Sequence, residues 1–331
     1  MKSKSKQWYC DTIGKIEKNI LPLVLIIFFI LIWAAVSKPA SFYTTGNLVA
    51  MAYQIPEFGI LSLGMAICMI SGGIDLSLVG IANLCSVTAA LTVTGTGSAV
   101  LAILSAMAVG LVSGAFNGVM TGVLGIPPML VTLGGLQIFT GLATAVTKGV
   151  AITGIPKGFL AIGNGLVFSA VPISLIILLL AALILHLMLK YSAYGQQVYM
   201  MGTNATASRY TGINNMTVNI RIYTLSGLLA SLSGIIMCSR YGSANADYGS
   251  SYTLLTLLIA VLGGINPDGG KGKIFGVLLS IVILQLVSSM FNIFRFNSFL
   301  KTCIWGLILI AVMIINHWAY GFIKIRKPRK D

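Results

Sequence analysis

The sequence predicts an all-α, polytopic integral membrane protein, and three observations carry that reading. Charged residues make up 8% of the 331, against roughly 25% in an ordinary soluble domain. The mean hydropathy is +0.95 and the apolar fraction 57%, spread along nearly the whole chain. The 21 Lys and Arg outnumber 7 Asp and Glu, and they gather beside apolar runs at both ends, KSKSK at 2–6 and KIRKPRK at 324–330. This composition excludes a water-soluble globule, a disordered chain, a collagen-like fibre and a disulfide-stapled secreted domain. In a soluble protein the net charge of +14 would suggest nucleic acid. Beside membrane helices it marks topology, so the lipid bilayer and no nucleic acid is the expected partner.

A membrane-crossing helix needs about 20 mostly apolar residues. The first is expected at 20–37, ILPLVLIIFFILIWAAVS, after Lys15 and Lys18. It outruns the roughly 7–15 residues of a signal-peptide apolar core and further spans follow it, so it reads as a retained helix. The chain then divides at glycine, proline and polar clusters into spans at 48–70, 76–94, 98–124, 129–147, 171–189, 219–240, 253–265, 274–291 and 299–316. That makes about ten. The eighth is too short to cross alone and reads as a broken helix, which a membrane tolerates only against protein or a water-filled cavity.

The basic residues orient this arrangement. With the N-terminus inside, fifteen Lys and Arg fall inside, among them Lys190, Arg209, Arg221, Lys271 and Lys273. Six fall outside: Lys38, Lys148, Lys157, Arg240, Arg295 and Lys301. The positive-inside rule then places both termini in the cytoplasm. One domain over 1–331 is expected, with a basic cytoplasmic tail at 1–19, a cytoplasmic loop at 190–218 and a second basic tail at 317–331.

Thirty-seven glycines, in runs such as GLVSGAFNGVMTG at 110–122 and SGLLASLSG at 226–234, predict close helix packing, since small residues at four-residue spacing let backbones approach. MISGGIDLS at 69–77 and VLGGINPDGG at 261–270 parallel each other. Gly-interrupted segments in corresponding positions are a mark of transporter repeats.

Catalytic equipment is sparse. His186 and His317 stand outside any HExxH pattern, no GxSxG elbow occurs, and Cys10, Cys68, Cys85, Cys238 and Cys303 form no CxxC pair. No catalytic or metal set is expected. GGINPDGGKGK at 263–273 invites comparison with a phosphate loop and fails it. GxxxxGK would need glycine where Ile265 stands, and Gly272 occupies the Ser/Thr position. The chain is therefore not expected to hydrolyse ATP itself.

Two acids fall near span interiors. Glu57, after Pro56, could line a cavity or lie at a helix break held by backbone donors. Asp75, in GGIDLS, suits the N-terminus of the third helix, with substrate contact the other reading. Gln54, Asn83, Asn117, Gln137 and Gln285 offer donors and acceptors suited to a hydroxylated solute along a pore. Interhelical hydrogen bonding is the more common use of such residues.

The segment 190–218, KYSAYGQQVYMMGTNATASRYTGINNMTV, is polar and small-residue-rich. It predicts a short helix at NATASRYTG that a partner below the membrane could grip. Here the chain resembles a known family. AYGQQVYMMGTNATASRYTGI is similar to the cytoplasmic coupling segment of simple-sugar permeases, the ribose/xylose/autoinducer-2 type of ATP-binding-cassette transporter. The matching positions are Gly195, Gly202, Asn204, Ala207, Arg209 and Gly212. SGGIDLSLVG at 71–80 resembles the family's GGIDLSVG signature, and VLGGINPDGGKGKIFGVLL at 261–279 resembles its second glycine-rich segment. The matches run in order over about residues 50–315.

The resemblance implies an importer permease for a monosaccharide or similar small hydroxylated solute. Its partners would be ABC ATPase subunits holding ATP and Mg, docked at 202–213, an extracytoplasmic solute-binding protein, and a second copy or a paired permease. This chain would hold no cofactor. Gly72, Gly73, Asp75, Gly263 and Gly264 would then shape two helix breaks near the pore. Two departures stand out. Ala205 and Thr206 occupy the family's frequent Pro-Glu, and Thr253, Leu254 and Leu255 its frequent Glu-Leu-Asp. The second bears on whether the chain pairs with itself or with another permease. A nucleoside or autoinducer-2-like signal is the other solute that an importer permease of this kind would carry. A self-contained secondary carrier, with Glu57 essential, is the alternative from another class, as is a membrane scaffold or enzyme without solute flux.

Overall fold

The computed structural model describes residues 23–33, 36, 39–167 and 171–325. The N-terminal tail and the last six residues of the C-terminal tail lie outside that range. The chain runs α1 (Leu23–Trp33), α2 (Pro39–Phe42), α3 (Thr45–Ile70), α4 (Leu78–Thr96), α5 (Ala99–Gly122), α6 (Pro128–Thr147) and α7 (Lys157–Asn164). A two-residue hairpin follows, β1 (Leu166–Val167) and β2 (Val171–Pro172). Then come α8 (Ile173–Tyr191), α9 (Ala193–Thr203), α10 (Ala205–Tyr210), α11 (Asn215–Tyr241), α12 (Tyr252–Leu262), α13 (Ile274–Ile293) and α14 (Ser298–Ile325).

Helices stand at all ten expected positions, and among the described residues the only β-structure is that hairpin and a single bridge between Ile152 and Ala244. Among the described residues, seven helices have the length and apolarity of a crossing: α3, α4, α5, α6, α8, α11 and α13. The first, eighth and tenth apolar segments, Leu23–Trp33, Tyr252–Leu262 and Phe299–Ile314, are shorter. The 11 residues of α12 give a rod of about 16 Å, half of a bilayer core of about 30 Å. It is indeed a broken element, ending at Gly263 and buried at Leu255, Leu258, Ile259, Ala260 and Val261.

Burial separates the helices into a centre and a rim. In α3 and α11, 83% and 78% of the most apolar stretch is buried, against 28% in α5, α6 and α8. The rim helices present Val100, Leu130 and Ile184 outward, the surface a lipid tail would meet. The small-residue runs join rim to centre. A Cβ added at Gly114 would lie 2.3 Å from Tyr223 O, and one at Gly227 would lie 2.2 Å from Gly110 O. The backbones of α5 and α11 therefore touch directly, as the glycine spacing predicts.

The segment 190–218 differs from the expected loop. Besides the short helix α10, it holds α9, and most of it is helical. Two residues make this possible. Ser192, with extended backbone, ends α8 and accepts from Gly195 N at 3.0 Å to start α9. Asn204 does the same for α10, accepting from Ala207 N at 2.9 Å. At the other end, α7 packs on α11, and the hairpin lies against α8 and α3. Ser239 Oγ donates to Phe159 O (2.7 Å), Gly163 N donates to Ser239 Oγ (2.7 Å), and Asn164 Nδ2 donates to Ser239 O (3.0 Å).

Candidate functional site

The end of the bundle carrying α9 and α10 brings together three segments that are distant in sequence. The first is the C-terminus of α3, which stops in a Schellman turn: Gly73 N donates to Cys68 O and Gly72 takes a φ of +91°. The second is the C-terminus of α12, closed the same way, with Ile265 N on Ala260 O and Gly264 at +81°. The two GG segments thus have the same local structure with a one-residue offset: Gly72 corresponds to Gly264. Glycine is required at both, because the left-handed conformation costs other residues about 1–2 kcal/mol.

The third segment is α9. Gly202 is buried, and a Cβ there would lie 2.0 Å from Ile70 O and 2.6 Å from Gly270 N. Gly270 N donates to Ile70 O at 2.8 Å, and Gly269 packs against Gly72 and Gly202. Tyr199 Oη donates to Gly272 O at 2.8 Å, and burial pushes its phenol above the ordinary tyrosine pKa. Gly195 packs on the last turn of α8, 2.4 Å from Leu189 O to a would-be Cβ. Gly263 fits against Gly276 and Val277 at the start of α13.

Beyond α9 the surface is open. Ala207, Arg209 and Gly212 are exposed, and Tyr210 is 91% exposed. A cleft of ≈ 310 Å³ between α9 and α10 is lined by Tyr199, Met200, Thr203, Asn204, Ala207, Ser208 and Thr211. Asn215 locks α10 to the start of α11. Its Oδ1 accepts from Ser208 Oγ at 2.8 Å, and its Nδ2 donates to Ala205 O at 2.7 Å. The result is a rigid polar projection rooted on glycine contacts.

The remaining candidates divide. Asp75, fully buried, accepts from Ser77 N (3.1 Å), Ser77 Oγ (2.6 Å) and Ser226 Oγ of α11 (2.9 Å). Ser77, rather than Asp75, is the residue flanking α4. Asn117 Nδ2 donates to Ser77 Oγ at 2.7 Å, Asn83 Nδ2 to Ala246 O at 2.7 Å, and Gln285 Nε2 to Gln54 Oε1 at 2.9 Å. Gln285 and Gln54 tie α13 to α3, Asn117 ties α5 to the turn before α4, and Asn83 ties α4 to the connection between α11 and α12, whereas Gln137 is exposed on α6. Glu57, fully buried, is paired with Arg240 and accepts from Tyr241 (2.8 Å) and Tyr252 (3.0 Å). It joins α3, α11 and α12 near the end opposite α9. Sequence reading missed its partners, and it missed Gly269, Gly270 and Ser226, because contacts between residues 150 or more apart leave no local pattern.

The comparisons with known proteins bear on this arrangement. The family described as branched-chain amino acid transport system / permease component matches residues 47–315. The ribose import permease protein of Bacillus subtilis is 33% identical over 292 residues, covering 88% of this chain and 90% of that protein. This chain belongs to the permease family of sugar-type ATP-binding-cassette importers. The autoinducer 2 import system permease protein of Yersinia enterocolitica is 31% identical over 257 residues, 78% of this chain and 71% of that protein. A Yersinia pseudotuberculosis protein of the same name is 30% identical over the same length. No solved structure matches the chain. As a permease of this family, the protein is a transport subunit that crosses the membrane several times, and all three glycine-bearing segments fall within the matched range.

Proposed function

We propose that this permease forms the translocation path for a monosaccharide or similar small hydroxylated solute, with separate ATPase subunits docking on the α9–α10 projection. The observation that carries the reading is that projection: exposed at Arg209 and Tyr210, yet set by backbone contact at Gly202 against the ends of α3 and α12. Docking there acts on the bundle without passing through flexible side chains. ATP and Mg belong on the partner. The α9–α10 end faces the cytoplasm, in keeping with Lys190, Arg209, Arg221, Lys271 and Lys273 on it, and an external binding protein delivers solute at the other. A second permease chain, identical or paired, completes the path.

The solute class is supported by the ribose and autoinducer 2 permeases named above. The test is ATP-dependent uptake of ribose into proteoliposomes holding the permease with its co-purified ATPase and binding protein. The reading predicts uptake that needs ATP and falls with Arg209→Glu while the subunits still co-purify. Gradient-driven uptake by the permease alone would overturn it in favour of a secondary carrier.

A further inference from the structure

The turn between α3 and α4, residues 71–77, is bonded on every side. From α9 and the 266–273 loop, Gly202 and Gly270 press on Ile70 at its root. From α6, Thr132 Oγ1 donates to Ile74 O at 2.9 Å. From α5, Asn117 Nδ2 donates to Ser77 Oγ at 2.7 Å. From α11, Ser226 Oγ donates to Asp75 Oδ2 at 2.9 Å, while Asp75 Oδ1 holds Ser77.

Asp75 is completely buried and makes no ion pair among the described residues. Burying a carboxylate without a counter-charge is costly, and a serine there would hold a single neighbour at less expense. What the carboxylate adds is reach in two directions, one oxygen for its own turn and one for α11. The α9–α10 projection therefore grips this turn twice. It does so directly at Gly202, and again through α11, which follows α10 after a four-residue link closed by Asn215.

We propose that residues 71–77 are the element through which displacement of the α9–α10 projection reaches the membrane-crossing helices, with Asp75 as the positioning residue that fixes the turn to α11. This rests on the reading of α9–α10 as the ATPase-docking projection. The contact at Gly202 is backbone on backbone, so a shift of α9 cannot be absorbed by a side chain and must move Ile70. Packed interiors transmit such shifts because they deform in discrete steps. Asp75 then makes α4 and α11 move with the turn as one body.

The experiment uses the assembled importer, permease with ATPase subunits, in proteoliposomes. A fluorophore is attached at Thr96→Cys, at the exposed far end of α4, with Cys10 and Cys303 replaced by Ser. The readout is the change in fluorescence when ADP and vanadate trap the ATPase. Asp75→Ala is expected to reduce that change about tenfold while the ATPase stays bound and hydrolyses ATP as before. Asp75→Asn, which can still accept from Ser77 and donate to Ser226, is expected to keep it within about twofold. Ser226→Ala removes the α11 bond alone and is expected to fall between.

A full response in Asp75→Ala, or in Ser226→Ala should Asp75→Ala fail to assemble, overturns the proposal. Equal loss in Asp75→Asn and Asp75→Ala overturns the positioning role. An unaltered permease that binds no ATPase overturns the docking reading instead, and is seen before any variant is made.

Discussion

The Glu57–Arg240 pair gives a quantitative test of how α3, α11 and α12 are held. Glu57 is fully buried, whereas the Arg240 side chain retains 17% exposure. The two partners should therefore not be equivalent. Arg240→Met strands a carboxylate in the interior with two tyrosine hydroxyls, Tyr241 and Tyr252, as its remaining side-chain donors. Removing one partner of a buried pair costs about 3–5 kcal/mol. Glu57→Gln leaves Arg240 with Tyr53 O at 3.2 Å and an opening to water, so the cost is that of one charge-assisted hydrogen bond, about 1.5–3 kcal/mol. The double variant leaves no charge stranded and should be about as stable as Glu57→Gln alone, so the coupling energy equals the cost of Arg240→Met, about 3–5 kcal/mol. Thermal unfolding in one mild detergent, at one pH near neutrality, ranks the four proteins. The expected order is native, then Glu57→Gln and the double variant together, then Arg240→Met. Equal midpoints for the two single variants, or additive losses in the double, would refute the reasoning from burial.

Four further outcomes rest on the glycine contacts and hydrogen bonds. Gly202→Ala puts a Cβ 2.0 Å from Ile70 O, so about 1–3 kcal/mol or more of stability is expected to be lost, read as a lowered unfolding midpoint with weakened ATP-dependent uptake. Gly212→Ala, with φ +87° but open space around it, should cost only the left-handed backbone penalty of about 1–2 kcal/mol. Gly114→Leu should separate α5 from α11 and abolish assembly, visible as aggregation on size-exclusion chromatography, whereas Gly134→Leu, which meets nothing within 4 Å, should not. Tyr199→Phe removes the bond to Gly272 O and should cost about 0.5–1.5 kcal/mol, measurable in the same thermal assay.

The helices that set the fold were legible because lipid exposure imposes long apolar runs. α3, α5, α6 and α13 begin and end within about three residues of where hydropathy and glycine punctuation place them. α9 was not, because AYGQQVYMMGT mixes small, polar and apolar residues and buries only Gly195, Val198, Met201 and Gly202. Its existence depends on two caps, Ser192 and Asn204, that read equally well as loop residues. The GGKGK stretch was legible as unusual but not as what it is. Its glycines let the 266–273 loop approach Gly72 and Gly202. Asp75 was expected to serve the start of α4, and one oxygen does hold Ser77, but the bond to Ser226 spans 151 residues. Glu57 reads from sequence either as a cavity residue or as one held at a helix break. Arg240 pairs with it and Tyr241 and Tyr252 donate to it, contacts that no local spacing encodes.

Docking of an ATPase on α9–α10 can be read by site-specific photocrosslinking. A photoreactive residue is placed at Tyr210, exposed at the tip of α10, and in a second protein at Thr96, at the opposite end of the bundle, in membranes that hold the whole importer. An adduct between this permease and an ATPase subunit is expected from position 210 and none from 96. An ATPase adduct from 96, or ATP-driven uptake with no adduct from 210, would contradict it.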